Sequence, residues 1–116
     1  MKEIKFRVWC INKNEWEKDT VMLADNGNLL HFDHPNRFKL LKSETHILEF
    51  YTGAKDKKGK KIFAGDIIKD KYGQVNYINF HGGSFWFNWL EMPHYMDQVE
   101  EGEIIGNIHT TPELIK

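Results

Sequence analysis

Turn-forming residues cut this chain into short pieces. They fall at residues 12–15 (Asn-Lys-Asn-Glu), 25–28 (Asp-Asn-Gly-Asn), 34–37 (His-Pro-Asn-Arg), 56–59 (Asp-Lys-Lys-Gly), 72–73 (Tyr-Gly) and 81–84 (His-Gly-Gly-Ser). Asn and Asp bond their own backbone and tolerate left-handed φ, and Gly adopts positive φ without steric cost. Segments this short between breaks suit strands better than helices. Many short strands separated by turns predict a small β-barrel or sandwich. No apolar run approaches the roughly 18 residues of a membrane span.

The pieces carry strand patterning. Ile4, Phe6 and Val8 alternate with Lys5, Arg7 and Trp9, the period of a half-buried strand. Residues 16–23 read as its return strand. Asn26-Gly27 is a hairpin signal with residues 29–32 as the outgoing strand, so the first third reads as a meander. Residues 38–42 fit neither template. Ile47, Leu48, Phe50 and Tyr51 read as a strand, and Gly65-Asp66 as a bend opening a buried strand at Ile67-Ile68. Residues 74–80 and 85–90 flank the His81-Gly82-Gly83-Ser84 loop as a hairpin. Residues 91–102 are polar and acidic and predict a loop with a helical turn. Residues 103–108 look like a final strand, and Thr111-Pro112 like the start of a short helix. No internal repeat or linker divides the chain, so one domain over residues 1–116 is expected. The predicted class is mainly β, with an SH3-like or related β-barrel core, an N-terminal meander and little helix.

Composition narrows the function classes. A chain of 116 residues can fold without a metal or disulfide. The net charge of −1 argues against a protein that coats nucleic acid by charge alone. The lone Cys10 cannot form an internal disulfide, and charges interrupt the N-terminus too often for a signal peptide. A cytoplasmic location is the expectation. Aromatics reach 14%, more ring surface than a small core easily hides, which points to an interface.

Two groups of residues are candidates for binding. Lys55, Lys57, Lys58, Lys60 and Lys61, bracketed by Tyr51 and Phe63, could hold phosphates and stack a base. The plainer reading is a solvated hairpin whose charges protect a sheet edge. Phe80, Phe85, Trp86, Phe87, Trp89 and Tyr95 form the aromatic group. On one continuous strand Phe85, Phe87 and Trp89 share a face, and Trp86 and Leu90 share the other. Apolar residues on both faces mean either a second layer or a partner, with Trp86, Trp89 and Tyr95 as the anchors.

Chemistry finds less support. His31 and His34 are three apart, but no second pair stands at metal-ligand spacing and Cys10 has no CxxC partner, so no metal or other cofactor is expected. Ser43 and Ser84 lack a nucleophile-elbow context. Gly82-Gly83 lacks the pattern of a phosphate loop. Asp66 could place a carboxylate at a ligand mouth, or bond its own backbone and shape the bend.

Three segments carry a resemblance. They are Lys5-Phe6-Arg7-Val8-Trp9, the block from Tyr51-Thr52-Gly53 to Gly65-Asp66-Ile67-Ile68, and Ile105-Gly106-Asn107-Ile108 followed by Pro112-Glu113-Leu114. In that order and at those distances the chain resembles the YopX family of phage and prophage proteins. The resemblance implies a strand-rich fold, a phage or prophage origin, no assigned molecular role and no catalytic residues. Cys10 and Ala64 stand where the resemblance leads one to expect acidic residues. The expected function is a non-enzymatic binding or assembly module. Its partner would be a second copy of the chain or a host or phage protein, with no membrane. The alternative is a nucleic-acid-binding module using the lysine loop.

Overall fold

The computed structural model describes residues 6–17, 21–23, 29–34, 37–42, 44–87, 90–91 and 96–115. Alternation and turn chemistry translate into strands almost throughout. The fold is mainly β, with a curled, half-barrel sheet and little helix. The chain divides into two compact units, Arg7–Leu48 and Glu49–Lys116, with Phe6 grouped with the second.

In the Arg7–Leu48 unit, β1 (Phe6–Cys10) turns back into β2 (Glu15–Trp16) with Trp9 opposite Trp16 and Cys10 opposite Glu15. Asn14 takes φ 54° in the turn, the left-handed conformation that Asn tolerates. The alternation of β1 does not divide it into a wet and a dry face. Val8, Trp9 and Cys10 are all buried. Trp9 meets Trp16 edge-on at 5.0 Å, and the Arg7 guanidinium lies 4.2 Å over the Trp16 ring. Aromatic and cation contacts thus give the expected polar face an apolar cover.

The return strand predicted over 16–23 is shorter than the pattern. β2 stops at Trp16, and β3 (Val21–Leu23) begins a second sheet with β4 (Leu29–His34) and β5 (Arg37–Leu41). Leu23 pairs with Leu29, so β3 and β4 form a hairpin across residues 24–28, which are outside the described ones. Of residues 38–42, all but Lys42 resolve as strand because β5 pairs along β4 from Leu29↔Leu41 to His34↔Arg37. A neighbouring strand supplied what their own pattern lacks.

In the second unit, β6 (His46–Lys55, which begins at the end of the first) pairs with β7 (Lys61–Phe63). Beyond it an antiparallel sheet runs in the order β11 (Leu90–Glu91), β10 (Ser84–Phe87), β9 (Val75–His81), β8 (Asp66–Lys69), β12 (Glu103–Asn107). Ile67 and Ile68 are both fully buried, as the apolar pair predicts. Ala54, Ile62, Ile68, Ile78, Phe87 and Val99 form the core, with Phe85 and Ile104 packed against it. Each fully buried Ile or Phe contributes on the order of 1.5–3 kcal/mol. Val99 arrives on α1 (Met96–Glu100), the helical turn expected in the acidic stretch. A 3₁₀ turn over Pro112–Ile115 ends the described chain. Thr111 holds the N-cap position, its carbonyl accepting from Leu114 N at 3.1 Å, but its hydroxyl turns back to β12 instead of capping. Its hydroxyl accepts from Asn107 N at 3.0 Å and donates to Asn107 O at 3.2 Å.

The strand predicted over 85–90 is broken. β10 ends at Phe87, and Leu90–Glu91 folds back against it with Phe87 opposite Leu90 and Trp86 opposite Glu91.

Candidate functional site

The lysine segment is a hairpin built around an acid. The Asp56 carboxylate accepts from Lys58 N and Lys60 N, both at 2.9 Å, and from Ile104 N at 3.0 Å. Gly59, at φ 83°, closes the turn with its N–H on Asp56 O. This is a three-residue hairpin loop with glycine in the left-handed position. Burial opposes the Asp56 charge, but the three amides outweigh it and hold its carboxyl below the usual range. The amide of Lys57 bonds Gly102 O at 3.0 Å, so the loop is docked. Lys58 pairs with Glu103 at 2.8 Å, and the Lys61 ammonium lies 5.8 Å from the Tyr51 ring centre. Lys55, Lys57 and Lys60 are exposed. The structure thus gathers the predicted lysines and Tyr51 on one hairpin, where Glu103 and Asp56 offset part of their charge.

The aromatic segment is also a hairpin. Ser84 pairs with His81, and Gly82 and Gly83 take φ 59° and 81°. Two positive φ values make a type I′ turn, so His81-Gly82-Gly83-Ser84 is a connection between strands. Phe85 lies opposite Phe80, with ring centres 4.8 Å apart, and Phe50 meets Phe80 at 5.8 Å. Phe87 is sealed in the core while Phe80 is 43% exposed. The three phenylalanines form an aromatic row that extends the core to the surface. Trp86 points to the other face, half-buried, and donates from Nε1 to His81 O at 3.0 Å. Trp89 and Tyr95 lie outside the described residues.

Asp66 shapes its bend. Its carboxylate accepts from Phe63 N at 2.8 Å and from Asn107 Nδ2 at 3.3 Å, and the residue is buried. The neighbouring Gly65 has φ 92°, and a Cβ there would collide with the Glu49 carboxylate. Glu49, nearly buried, meets His109 Nε2 at 2.9 Å. Gly65 O accepts from Ile108 N, and a Cβ on Gly106 would strike the Thr111 hydroxyl. Thr52 and Gly53 form a bulge between the Tyr51↔Phe63 and Lys55↔Lys61 pairs, with Thr52 Oγ1 donating to Ile62 O at 2.7 Å. The middle and final signature segments therefore meet in a buried polar knot, where the Glu49 and Thr111 side chains fill the space that a Cβ at Gly65 or Gly106 would need.

A third grouping lay outside the motifs. Cys10, Glu17 and His46 offer one ligand atom each, all within 4.8 Å of one another. They line a cleft of about 360 Å³ with Asn12, Lys13, Leu40, Leu41, Lys42 and Thr45. His46 Nε2 lies 3.2 Å from Glu17 Oε1, and Thr45 Oγ1 lies 2.8 Å from His46 Nδ1. Burial works against the Glu17 charge, and the His46 and Lys13 contacts outweigh it, leaving its carboxyl below the ordinary range. No spacing rule finds this set, because turn and loop geometry bring its members together. His31 and His34 sit on β4, and their side chains are outside the described ones.

A family model described as YopX protein matches residues 5–116. The chain belongs to the YopX family. The match takes in all three segments that carried the resemblance. The family chain is also similar to a solved structure, the crystal structure of protein EF1440 from Enterococcus faecalis, at 25% identity and a TM-score of 0.68. That likeness covers 98% of this chain and 99% of the other. No curated protein matches it. Among the described residues no helix is long and apolar enough to cross a membrane.

Proposed function

We propose that this YopX-family chain is a non-enzymatic binding or assembly module, phage- or prophage-encoded and acting in the host cytoplasm, whose partner is a protein. The observation that carries the reading is the aromatic row on the β9–β10 hairpin. Phe80 is 43% exposed while its ring stacks against Phe85 and Phe50. A ring held in place by its neighbours and open to solvent loses little conformational freedom on binding, which is what an interface anchor needs. Trp86 lies on the same hairpin and supplies a second ring with a polar edge.

The test is capture of partners by tagged protein from cells during prophage induction, with nuclease present, alongside light scattering for self-association. Phe80→Ser and Trp86→Ala are compared with Tyr72→Ser, which removes a ring 69% exposed elsewhere in the chain. Loss of a defined partner or of the oligomer in the hairpin variants, but not in Tyr72→Ser, is expected. Unchanged binding in all three, with the fold intact by circular dichroism, rejects the hairpin as the interface. Partners lost on nuclease treatment would move the reading to the lysine hairpin and nucleic acid, with the salt dependence that phosphate contacts bring.

A further inference from the structure

The cleft at Cys10, Glu17 and His46 has the donor set of a transition-metal site. A thiolate, a carboxylate and an imidazole are zinc ligands, and three protein ligands facing a cleft leave a coordination position open to it. The three come from separate backbone segments that hydrogen bonds fix in place. Glu17 N donates to Val8 O at 2.9 Å across the β1–β2 hairpin, and Ile11 N donates to Thr45 O at 2.9 Å beside His46. His46 N and Thr45 N both bond Lys42 O, which sets the direction of the imidazole.

The charges balance. Cys10 as thiolate and Glu17 as carboxylate carry two negative charges, which a divalent cation cancels while His46 stays neutral. Burial also matters: the Glu17 and His46 side chains are 5% and 12% exposed, and Cys10 is buried. Thr45 completes the arrangement. With a cation on Nε2, the His46 proton sits on Nδ1 and is donated to Thr45 Oγ1 at 2.8 Å, and the hydroxyl proton has Lys42 O at 3.2 Å to go to. A partner on the second ring nitrogen is what metal-bound histidines have.

We propose that this cleft is a zinc-class metal site, with Cys10 Sγ, Glu17 and His46 Nε2 as ligands and Thr45 orienting the histidine. Zinc bond lengths of about 2.0–2.3 Å place ligand atoms roughly 3.3–3.7 Å apart in a tetrahedron. The Nε2–Glu17 distance of 3.2 Å is already close to that. The thiol needs to close by on the order of 1 Å, a rotamer-scale movement. Binding releases the Cys10 thiol proton to solvent, and the Nε2 proton moves to Nδ1. Lys13 lies 3.5 Å from Glu17 with its side chain 58% exposed, so its ammonium can leave for solvent when the cation enters.

Chelator-treated protein is titrated with Co²⁺ and then with Zn²⁺. The expected result is one equivalent of Co²⁺ with the near-ultraviolet thiolate-to-metal band and the visible bands of a tetrahedral ion, displaced by Zn²⁺. Cys10→Ser should abolish the thiolate band. His46→Gln and Glu17→Gln should each lower affinity by at least 10-fold, and Thr45→Val by about 10-fold. The exposed His81→Gln control should leave binding unchanged. Absence of the thiolate band in the unmodified chain overturns the proposal, even where a variant fails to fold. So does binding that survives all three ligand changes, as happens if Glu17 and His46 are only an ion pair.

Discussion

Single residues in this chain do most of their work through the backbone. Asp56 accepts from three amides drawn from the loop and from β12. Replacing it with Ala removes those acceptors at a cost of about 3 kcal/mol, measurable as a lower urea midpoint at pH 7. The pH dependence has a definite sign. The folded carboxyl titrates below its unfolded value, so its stabilisation is present above about pH 4 and is lost as pH falls through the depressed folded value. The gap between the wild-type protein and Asp56→Asn should therefore shrink as pH is lowered from 5 to below the ordinary carboxylate range in paired urea curves.

At the scale of elements, one turn is used twice. Residues 56–60 (Asp-Lys-Lys-Gly-Lys) and 70–74 (Asp-Lys-Tyr-Gly-Gln) share the pattern Asp-Lys-X-Gly-X. In both, the Asp Oδ1 accepts from the amides two and four residues on, and the Asp N–H bonds the carbonyl of the fourth. Gly59 and Gly73 take φ 83° and 85° in open space, whereas Gly65 takes φ 92° against the Glu49 carboxylate. Ala at Gly59 or Gly73 meets backbone strain alone, about 1 kcal/mol. Gly65→Ala adds a collision with a buried charged group and should cost more than 2 kcal/mol, or leave little folded protein. Thermal unfolding of the three variants orders them.

At the scale of the whole molecule, the apolar core cluster of the described residues belongs to the Glu49–Lys116 unit. Ile62 is fully buried there, so Ile62→Ala should lower unfolding free energy by about 2–5 kcal/mol with the m-value unchanged. The Phe80 row and the lysine hairpin are exposed parts of that same unit, where recognition surfaces commonly lie. The metal proposal belongs to the Arg7–Leu48 unit, so a surface variant such as Phe80→Ser and a ligand variant such as Cys10→Ser separate the two readings.

The sequence by itself determined where the chain turns. Asn, Asp and Gly encode positive φ and local side-chain bonds within a few residues, so the hairpins at 12–15, 56–59 and 81–84 were legible, as were the buried Ile67-Ile68 strand and the helical turn before β12. The family was legible too, because the glycines that mark it sit where a side chain is disfavoured, Gly65 and Gly106 by crowding and Gly53 by its φ of 89°. Strand identity was less so where pairing decides it: residues 38–41 joined β5 through β4, and the run from 85 to 90 broke because Leu90–Glu91 found a ladder on β10. Only the tertiary structure put Cys10, Glu17 and His46 around one cleft. Ligand convergence depends on how a hairpin and a loop direct side chains in three dimensions, and linear spacing holds no record of that direction.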